Sequence, residues 1–289
     1  MKFEHTRVMN FEGAFRGLRN PKESWDRSDS YFGIIDSYST VDYDIAELWA
    51  RKEHPECYKG NLEDHAYEIM ELEAKYDRGL LKNGILREDS KGLYEVAFIG
   101  PNDMKLAQQL IKAGSEHRKF MRQIFVSVDI TAPLFFFKEL DTYKVGTVAN
   151  STSTMHKLAS TPITIDCFET DDMKEIENWT DEKTGYEFNQ KQLTETFISA
   201  LEGLRQKYNE TKDIKYWKEL IRWLPESWLQ TRTITMNYEN LLNICSKGQR
   251  RNHKLNEWSG IHTPVEQSFI QWARTLPYAQ VFIFLDEIS

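Results

Sequence analysis

Residues 124–140, IFVSVDITAPLFFFKEL, restrict the fold more than any other stretch of the chain. From Ile124 to Thr131 apolar and polar side chains alternate, and many are β-branched, which reads as a strand with one buried face. Pro133 follows. It lacks an N–H for a strand ladder, but its fixed φ suits a first helical turn, so LFFFKEL reads as a helix starting there.

The flanking segments extend this pattern. Residues 61–83 carry apolar side chains amid many charges and read as a surface helix. YEVAFI (94–99) is a short apolar run. GPNDMKLAQQLIKAGSE reads as a helix capped by Asn102 or Asp103, with Leu106, Leu110 and Ile111 on its apolar face and Gly114 at its end. DYDIAELWARK reads as a short helix, and NPKESWDRSDSYFG as turns. VGTVANS is a loop or short strand, and TPITIDCFE (161–169) looks extended. Beyond residue 171 helices are expected at 187–208 and 211–223, with a break at Pro225. TRTITMNYENLLNICSKG begins β-like and turns helical near Tyr238. PVEQSFIQWARTLP reads as an amphipathic helix, and AQVFIFLDEIS as a short strand or packed tail. Helices with few strands imply an α+β (α/β) fold. No Pro/Gly-rich linker divides the chain. The expected organisation is a peripheral N-terminal extension, 1–90, and a main domain, 91–289.

Composition narrows the function classes. The chain has 289 residues and a formal net charge of −8, so it offers no overall electrostatic footprint for duplex nucleic acid. A local basic stretch exists at KGQRRNHK (247–254). The 3 cysteines are far apart and odd in number, which argues against a disulfide framework or a cysteine zinc site and fits a reducing cytosol. The N-terminus lacks the apolar core of a signal peptide, and no stretch approaches a membrane span of ~20 apolar residues. The glycine fingerprints for dinucleotides and the P-loop are absent, as are HExxH and GxSxG. His253 and Glu257 stand four apart on an expected helix, a pair that is more often a plain hydrogen bond than a metal site. The acidic run ETDD (169–172) reads as a solvated helix start.

Two polar constellations remain. TYKVGTVANSTSTMH (142–156) concentrates Thr147, Asn150, Ser151, Thr152, Ser153, Thr154 and His156, with Lys144 as a cation. It is either a polar cap before a helix or a lining for phosphate and pyrimidine oxygens. In the second, Asn237, Asn240 and Asn243 nearly share one helical face, and such a stripe needs partners if buried. Arg222, Arg232, Arg250 and Arg251 are available there for an anion, or are ordinary surface arginines.

The order of these segments carries a resemblance. AGSEH places His117 on a turn before a helix-to-strand step, and the strand ends in Ala132-Pro133-x-Phe135. Thr142, Tyr143 and Lys144 then occupy a triplet position followed by Thr147, and Asn150 to Ser153 come next. IRWLP carries Arg222. TMNYENLLN carries Thr235, Asn237, Leu241 and Asn243, and His253 with Glu257 closes the series. Over residues 100–260 this order resembles the flavin-dependent thymidylate synthases, which methylate dUMP using FAD, NADPH and methylenetetrahydrofolate.

The resemblance implies helices packed around a small central sheet, a homotetramer with shared sites, and no protein nucleophile. It implies FAD contacts from His117, Lys144, Thr147, Asn237, Asn243 and His253. It implies pyrimidine nucleotide contacts from Asn150, Ser151, Ser153, Arg222, Arg250 and Arg251. The departures are specific. Only Lys144 keeps a charge in the family's Arg-His-Arg triplet, Ser151 replaces an acid, Glu239 replaces an arginine, and Met155-His156 replace Arg-Tyr. Three readings therefore stay open: a flavin enzyme acting on a pyrimidine deoxynucleotide, a non-catalytic relative that binds a nucleotide as a sensor, inhibitor or assembly component, and an unrelated α+β protein.

Overall fold

The computed structural model describes residues 1–35, 47, 50–51, 54–58, 66–88, 90–153, 157–171, 173, 176–261 and 267–288. In chain order the elements are β1 (Lys2–Met9), α1 (Phe11–Arg19), β2 (Tyr31–Ile35), α2 (Ala66–Asn83), β3 (Ile85–Glu88), β4 (Tyr94–Phe98), α3 (Pro101–Lys112), β5 (Phe125–Pro133), α4 (Leu134–Leu140) and β6 (Val148–Ser151). They continue with β7 (Trp179–Thr180), β8 (Glu187–Phe188), α5 (Gln190–Thr211), α6 (Ile214–Arg222), β9 (Leu229–Asn237), α7 (Tyr238–Ile244), α8 (Asn256–Ser259), α9 (Phe269–Arg274) and α10 (Ala279–Phe282). The fold is a mixture of helices and small sheets. A four-stranded sheet has the order β1-β5-β9-β6, a three-stranded one β2-β4-β3, and β7 pairs with β8. Most of the DYDIAELWARK segment and residues 61–65 lie outside the described residues, as do Thr154, Met155, His156 and 262–266.

The alternation in β5 does what its sequence demands: Val126, Val128, Ile130 and Ala132 are buried and the residues between them less so. The edge strand β6 is exposed throughout. It is only four residues long, which suits an edge, where a long apolar strand would invite further pairing.

The chain divides into two compact units. One comprises Met1–His5, Val128–Ile234 and Asn252–Phe269; the other comprises Thr6–Ser127, Thr235–Arg251 and Ile270–Ser289. We call these the first and second unit.

The second unit has an aromatic core. Phe11 meets Tyr238 edge-on at 5.7 Å, and Phe15 lies 5.9 Å from Phe120 and 6.1 Å from Phe282. Tyr278 seals the core from within: its hydroxyl donates to Ala97 O (2.7 Å) and accepts from Ile99 N (3.1 Å). The cap of α3 differs from the sequence expectation. Neither Asn102 nor Asp103 caps it; Asp29, far away in sequence, accepts from Asn102 N (3.0 Å) and Asp103 N (3.2 Å). Gly100 makes room for this, since a Cβ there would sit 2.3 Å from Asp29. Asp103 is fully buried instead, and Arg19 Nε (2.6 Å) with the Ser28 and Ser30 hydroxyls (2.6 Å each) satisfies its carboxylate. Gly114, with φ +104°, follows the end of α3 as expected.

In the first unit Trp258 packs on Phe136 at 4.3 Å and on Phe269 at 5.2 Å. Residues 161–169 are extended only in part: Thr164 and Phe168 have extended backbone and Phe168 bridges to Trp228, but a 3-10 turn covers Ile165–Cys167, and Ile163 and Phe168 are buried with Leu158, Leu201 and Leu220. The hairpin β7–β8 interrupts the region expected to be helical, and Trp179 stacks on Phe188 at 4.0 Å across it. Asn189 then caps α5 through Gln192 N (2.9 Å). The expected amphipathic helix near the C-terminus is the short α9, with Phe269, Ile270, Trp272 and Ala273 all buried. The last segment is a packed tail containing α10, not a strand.

Candidate functional site

The candidate residues fall in both units. In the second unit the decisive local event is the passage from β9 into α7. Asn237 has extended backbone (φ −124°, ψ 168°) and its Oδ1 accepts from Asn240 N at 2.9 Å; Asn240 Oδ1 accepts in return from Asn237 N at 3.1 Å. This reciprocal capping box satisfies two buried amides. The asparagine stripe therefore does not converge as three free amides. Asn237 and Asn240 hold the helix start, and Asn243 alone is exposed.

Around Asn243 lies a cluster that the sequence reading did not single out. Arg118 donates through Nε to Glu239 Oε1 (3.0 Å) and through Nη2 to Asn243 Oδ1 (3.1 Å). Arg122 donates to Glu239 through Nε and also through Nη2 (3.4 Å to Oε1). Burial of Glu239 opposes its charge, but the hydrogen bonds from Arg122 and Arg118 outweigh that and hold its carboxyl below the usual range. Available signals were the spacing of Arg118 and Arg122, four apart just after the Gly114 turn, and the acid at 239 that needs cations.

A cavity of about 320 Å³ opens beside this cluster. Lys112, Arg118, Asn243, Ser246, Arg251 and Asp286 supply its polar lining, with Leu242 and Ile283 among the apolar groups. Arg251 is buried and largely committed. It donates to Asp286 Oδ1 (2.8 Å) and Oδ2 (3.0 Å) and to Cys245 O (2.8 Å). Lys112 is exposed and forms no ion pair among the described residues. His117 is exposed on the turn after Gly114. Arg250 is half-buried, with its backbone N–H donating to Ile244 O (3.0 Å).

In the first unit the described part of the stretch that follows Thr142 ends at Ser153, whose carbonyl accepts from Lys157 N (3.0 Å). Asn150 and Ser151 are exposed on β6, and Thr152 N donates to Thr231 O (2.8 Å). Ser153 is half-buried. Thr147 donates its hydroxyl to Tyr143 O (2.8 Å), and Lys144 is exposed. Arg222 is exposed and pairs with Glu219 on its own helix (2.8 Å). Arg232 is not available for an anion: it donates to Asp141 (3.1 and 3.2 Å) and lies 4.1 Å over the Phe137 ring.

His253 and Glu257 do not share a helix. Only Glu257 lies in α8, buried, and burial raises its pKa. The carboxylate facing His253 is Glu139, 3.6 Å from Nε2. Because Nδ1 accepts from Leu255 N (3.2 Å), the neutral ring carries its proton on Nε2, toward Glu139. Among the described residues no cluster of His, Cys, Asp and Glu fits a metal ion, and no helix is long and apolar enough to cross a membrane.

The sequence matches no family model and no curated protein. The chain is similar to solved structures of flavin-dependent thymidylate synthases. One, from Helicobacter pylori and complexed with FAD and dUMP, is 15% identical with a TM-score of 0.42, over 89% of this chain and 98% of that one. A second structure of thymidylate synthase X from the same organism, with FAD and dUMP, is 16% identical with a TM-score of 0.41, over 65% of this chain and 83% of that one. A UMP/dUMP methylase, PolB from Streptomyces cacaoi, bound with 5-Br dUMP, is 15% identical with a TM-score of 0.43, over 90% and 96%.

Proposed function

We propose that this chain is a flavin-dependent thymidylate synthase-like protein that binds an anionic pyrimidine deoxynucleotide, dUMP, and modifies its base. The observation that carries this reading is the cavity beside α7, where Lys112, Arg118 and Asn243 bring two cations and an amide together. Its volume is at the lower end of the ~300–1,000 Å³ typical of small-molecule sites, which suits a mononucleotide. Guanidinium and ammonium groups complement a phosphate, and an amide pairs with a pyrimidine edge. The sequence resemblance runs through the same segment, TMNYENLLN.

The donor set fits FAD in part. His117, Lys144 and Asn243 expose side-chain donors, whereas Asn237 is spent on its helix cap. Bound FAD would supply the redox chemistry, with NADPH and methylenetetrahydrofolate as co-substrates. The residues of this chain orient the nucleotide and balance its charge. Arg222, Asn150, Ser151, Ser153 and Arg250 belong to the proposed nucleotide set, and Thr147 and His253 to the flavin set. The setting proposed is a cytosolic homotetramer.

A second reading has its own observation. Asn237, Arg232 and Arg251 are bound within the protein, so a relative that holds a nucleotide without flavin chemistry also suits the donors left over. One experiment separates the readings: a visible spectrum of the purified protein before and after denaturation, with a thermal melt with and without dUMP. Released flavin at near-stoichiometric yield and a dUMP-dependent rise in Tm support the enzyme. A colourless protein stabilised by dUMP supports the second reading. A melt indifferent to dUMP overturns both.

A further inference from the structure

A second cavity, in the first unit, is lined by none of the residues assigned above. It measures about 890 Å³ and runs along α5. Ile163, Ile165, Ile176 and Ile198 give it an apolar lining, and Lys191 and Glu195 stand on the α5 side. Two of these isoleucines are left half in water, Ile165 at 44% exposure and Ile176 at 50%, and Trp179 nearby in sequence is 56% exposed. Isolated exposed apolar side chains are ordinary, but several around one groove mark a binding surface.

Charge decides what fits. Residues 166–195 contain 10 Asp and Glu against 3 Lys and no Arg, a net charge of −7, while the whole chain carries −8. Nearly all of the protein's excess negative charge is therefore concentrated in the segment that borders this groove. Some of it is already neutralised: Glu202, on the groove wall, is held by Arg205 (2.6 and 2.7 Å) and by Ile163 N (2.8 Å). The Lys191–Glu195 contact is long, 3.9 Å, and its groups are 85% and 66% exposed, so it screens little. The surplus sits on exposed side chains such as Asp171, Glu177, Glu182 and Glu187.

We infer that this groove binds a basic amphipathic segment of a partner protein. Apolar side chains of that segment cover Ile165, Ile176 and Ile198, and its Lys and Arg residues face the acidic border. Helix-in-groove docking is the recognition mode the geometry matches, since the groove follows α5 from Gln190 to Glu202.

The test uses the full chain and a fluorescein-labelled synthetic helix with Leu on one face and Lys on the other, read by fluorescence anisotropy. Wild type binds it saturably, and affinity falls as salt rises from about 0.05 to about 0.5 M. Ser199→Trp, on an exposed position of the groove wall, weakens binding at least about tenfold. Glu177→Lys with Glu187→Lys weakens it several-fold at low salt. The same peptide with Glu in place of Lys does not bind. No saturable binding by wild type up to about 1 mM, or equal binding by Ser199→Trp, overturns the inference. So does sedimentation showing a wild-type oligomer that Ser199→Trp dissociates, because the occupant is then a second copy of this chain. The variants leave the nucleotide assay untouched, so this result is independent of the function proposed above.

Discussion

Replacing Glu239 by Gln tests the central electrostatic claim about the second unit. Glu239 is 7% exposed and pairs with two arginines, Arg118 and Arg122, whose side chains are 18% and 46% exposed. Removing one partner of a buried ion pair costs about 3–5 kcal/mol, because the other charge stays buried without compensation. Two features reduce that figure here. Gln keeps one acceptor oxygen for a guanidinium, and Arg122 is exposed enough to regain water. A loss of about 2–3 kcal/mol remains, which for a chain of this size lowers Tm by about 3–5 °C. The assay is a thermal melt followed by circular dichroism at neutral pH, repeated down to acid pH. The folded carboxyl lies below its unfolded value, so its stabilisation is complete above about pH 4.5 and is lost as the pH falls through the folded pKa. The gap between wild type and Glu239→Gln must therefore narrow in acid. A drop of less than about 1 °C at neutral pH, or a gap that stays constant with acidification, refutes the argument.

Three other outcomes follow from the same kind of reasoning. Asn237→Ala removes the capping box of α7 and should cost about 1 kcal/mol, seen as a fall in urea midpoint at unchanged slope. Tyr278→Phe strands Ala97 O and Ile99 N in the core and should cost about 2 kcal/mol by the same titration. Glu202 is pulled down to about 2 chiefly by Arg205, and Glu287 to about 2 chiefly by Arg274. Both contribute stability that is full above about pH 4.5 and lost as pH falls toward 2, so Glu202→Gln should flatten the acid limb of a Tm–pH profile.

What could be read in advance was periodicity. The β5 strand, the helix after Pro133, the turn at Gly114 and the change from strand to helix at Tyr238 are all local, and side-chain alternation or φ preference fixes each one. What could not be read was partnership across the chain. Asp103 looks like an N-cap in its own segment, but Arg19, Ser28 and Ser30 are 84, 75 and 73 residues away and claim it as a buried counter-ion. The cap then comes from Asp29, for which a helix more than seventy residues downstream gives no local sign. His253 and Glu257 are the same lesson in reverse. Their spacing suggested a shared helical face, but the chain bends at Lys254 and Leu255 before α8 begins, and Glu139, distant in sequence, faces the His253 ring. Residues 161–169 look extended because they are β-branched, but no strand is available to pair with most of them, and burial of Ile163 and Phe168 decides their shape.

The inverted charge at position 239 shows why motif comparison alone undervalues a site like this one. Set against the family pattern, Glu239 replaces a cation with an anion, which looks like the loss of a phosphate partner. In the folded second unit that carboxylate is bound by Arg118 and Arg122. Two guanidinium groups and one carboxylate together carry a single positive charge, the same as one arginine. An anion responds to the field where it sits, not to the backbone position from which the field arises. Arg118 lines the cavity directly, and its bond to Asn243 fixes the direction in which it presents its remaining N–H groups. A rigid, compensated guanidinium also loses less side-chain entropy on meeting a phosphate than a free surface arginine does. The exposed Arg222 keeps the family's residue type but sits in a solvent-exposed i,i+3 pair with Glu219, which orients it weakly. For the nucleotide site proposed above, Arg118 is therefore the better-built candidate, although the motif points to Arg222.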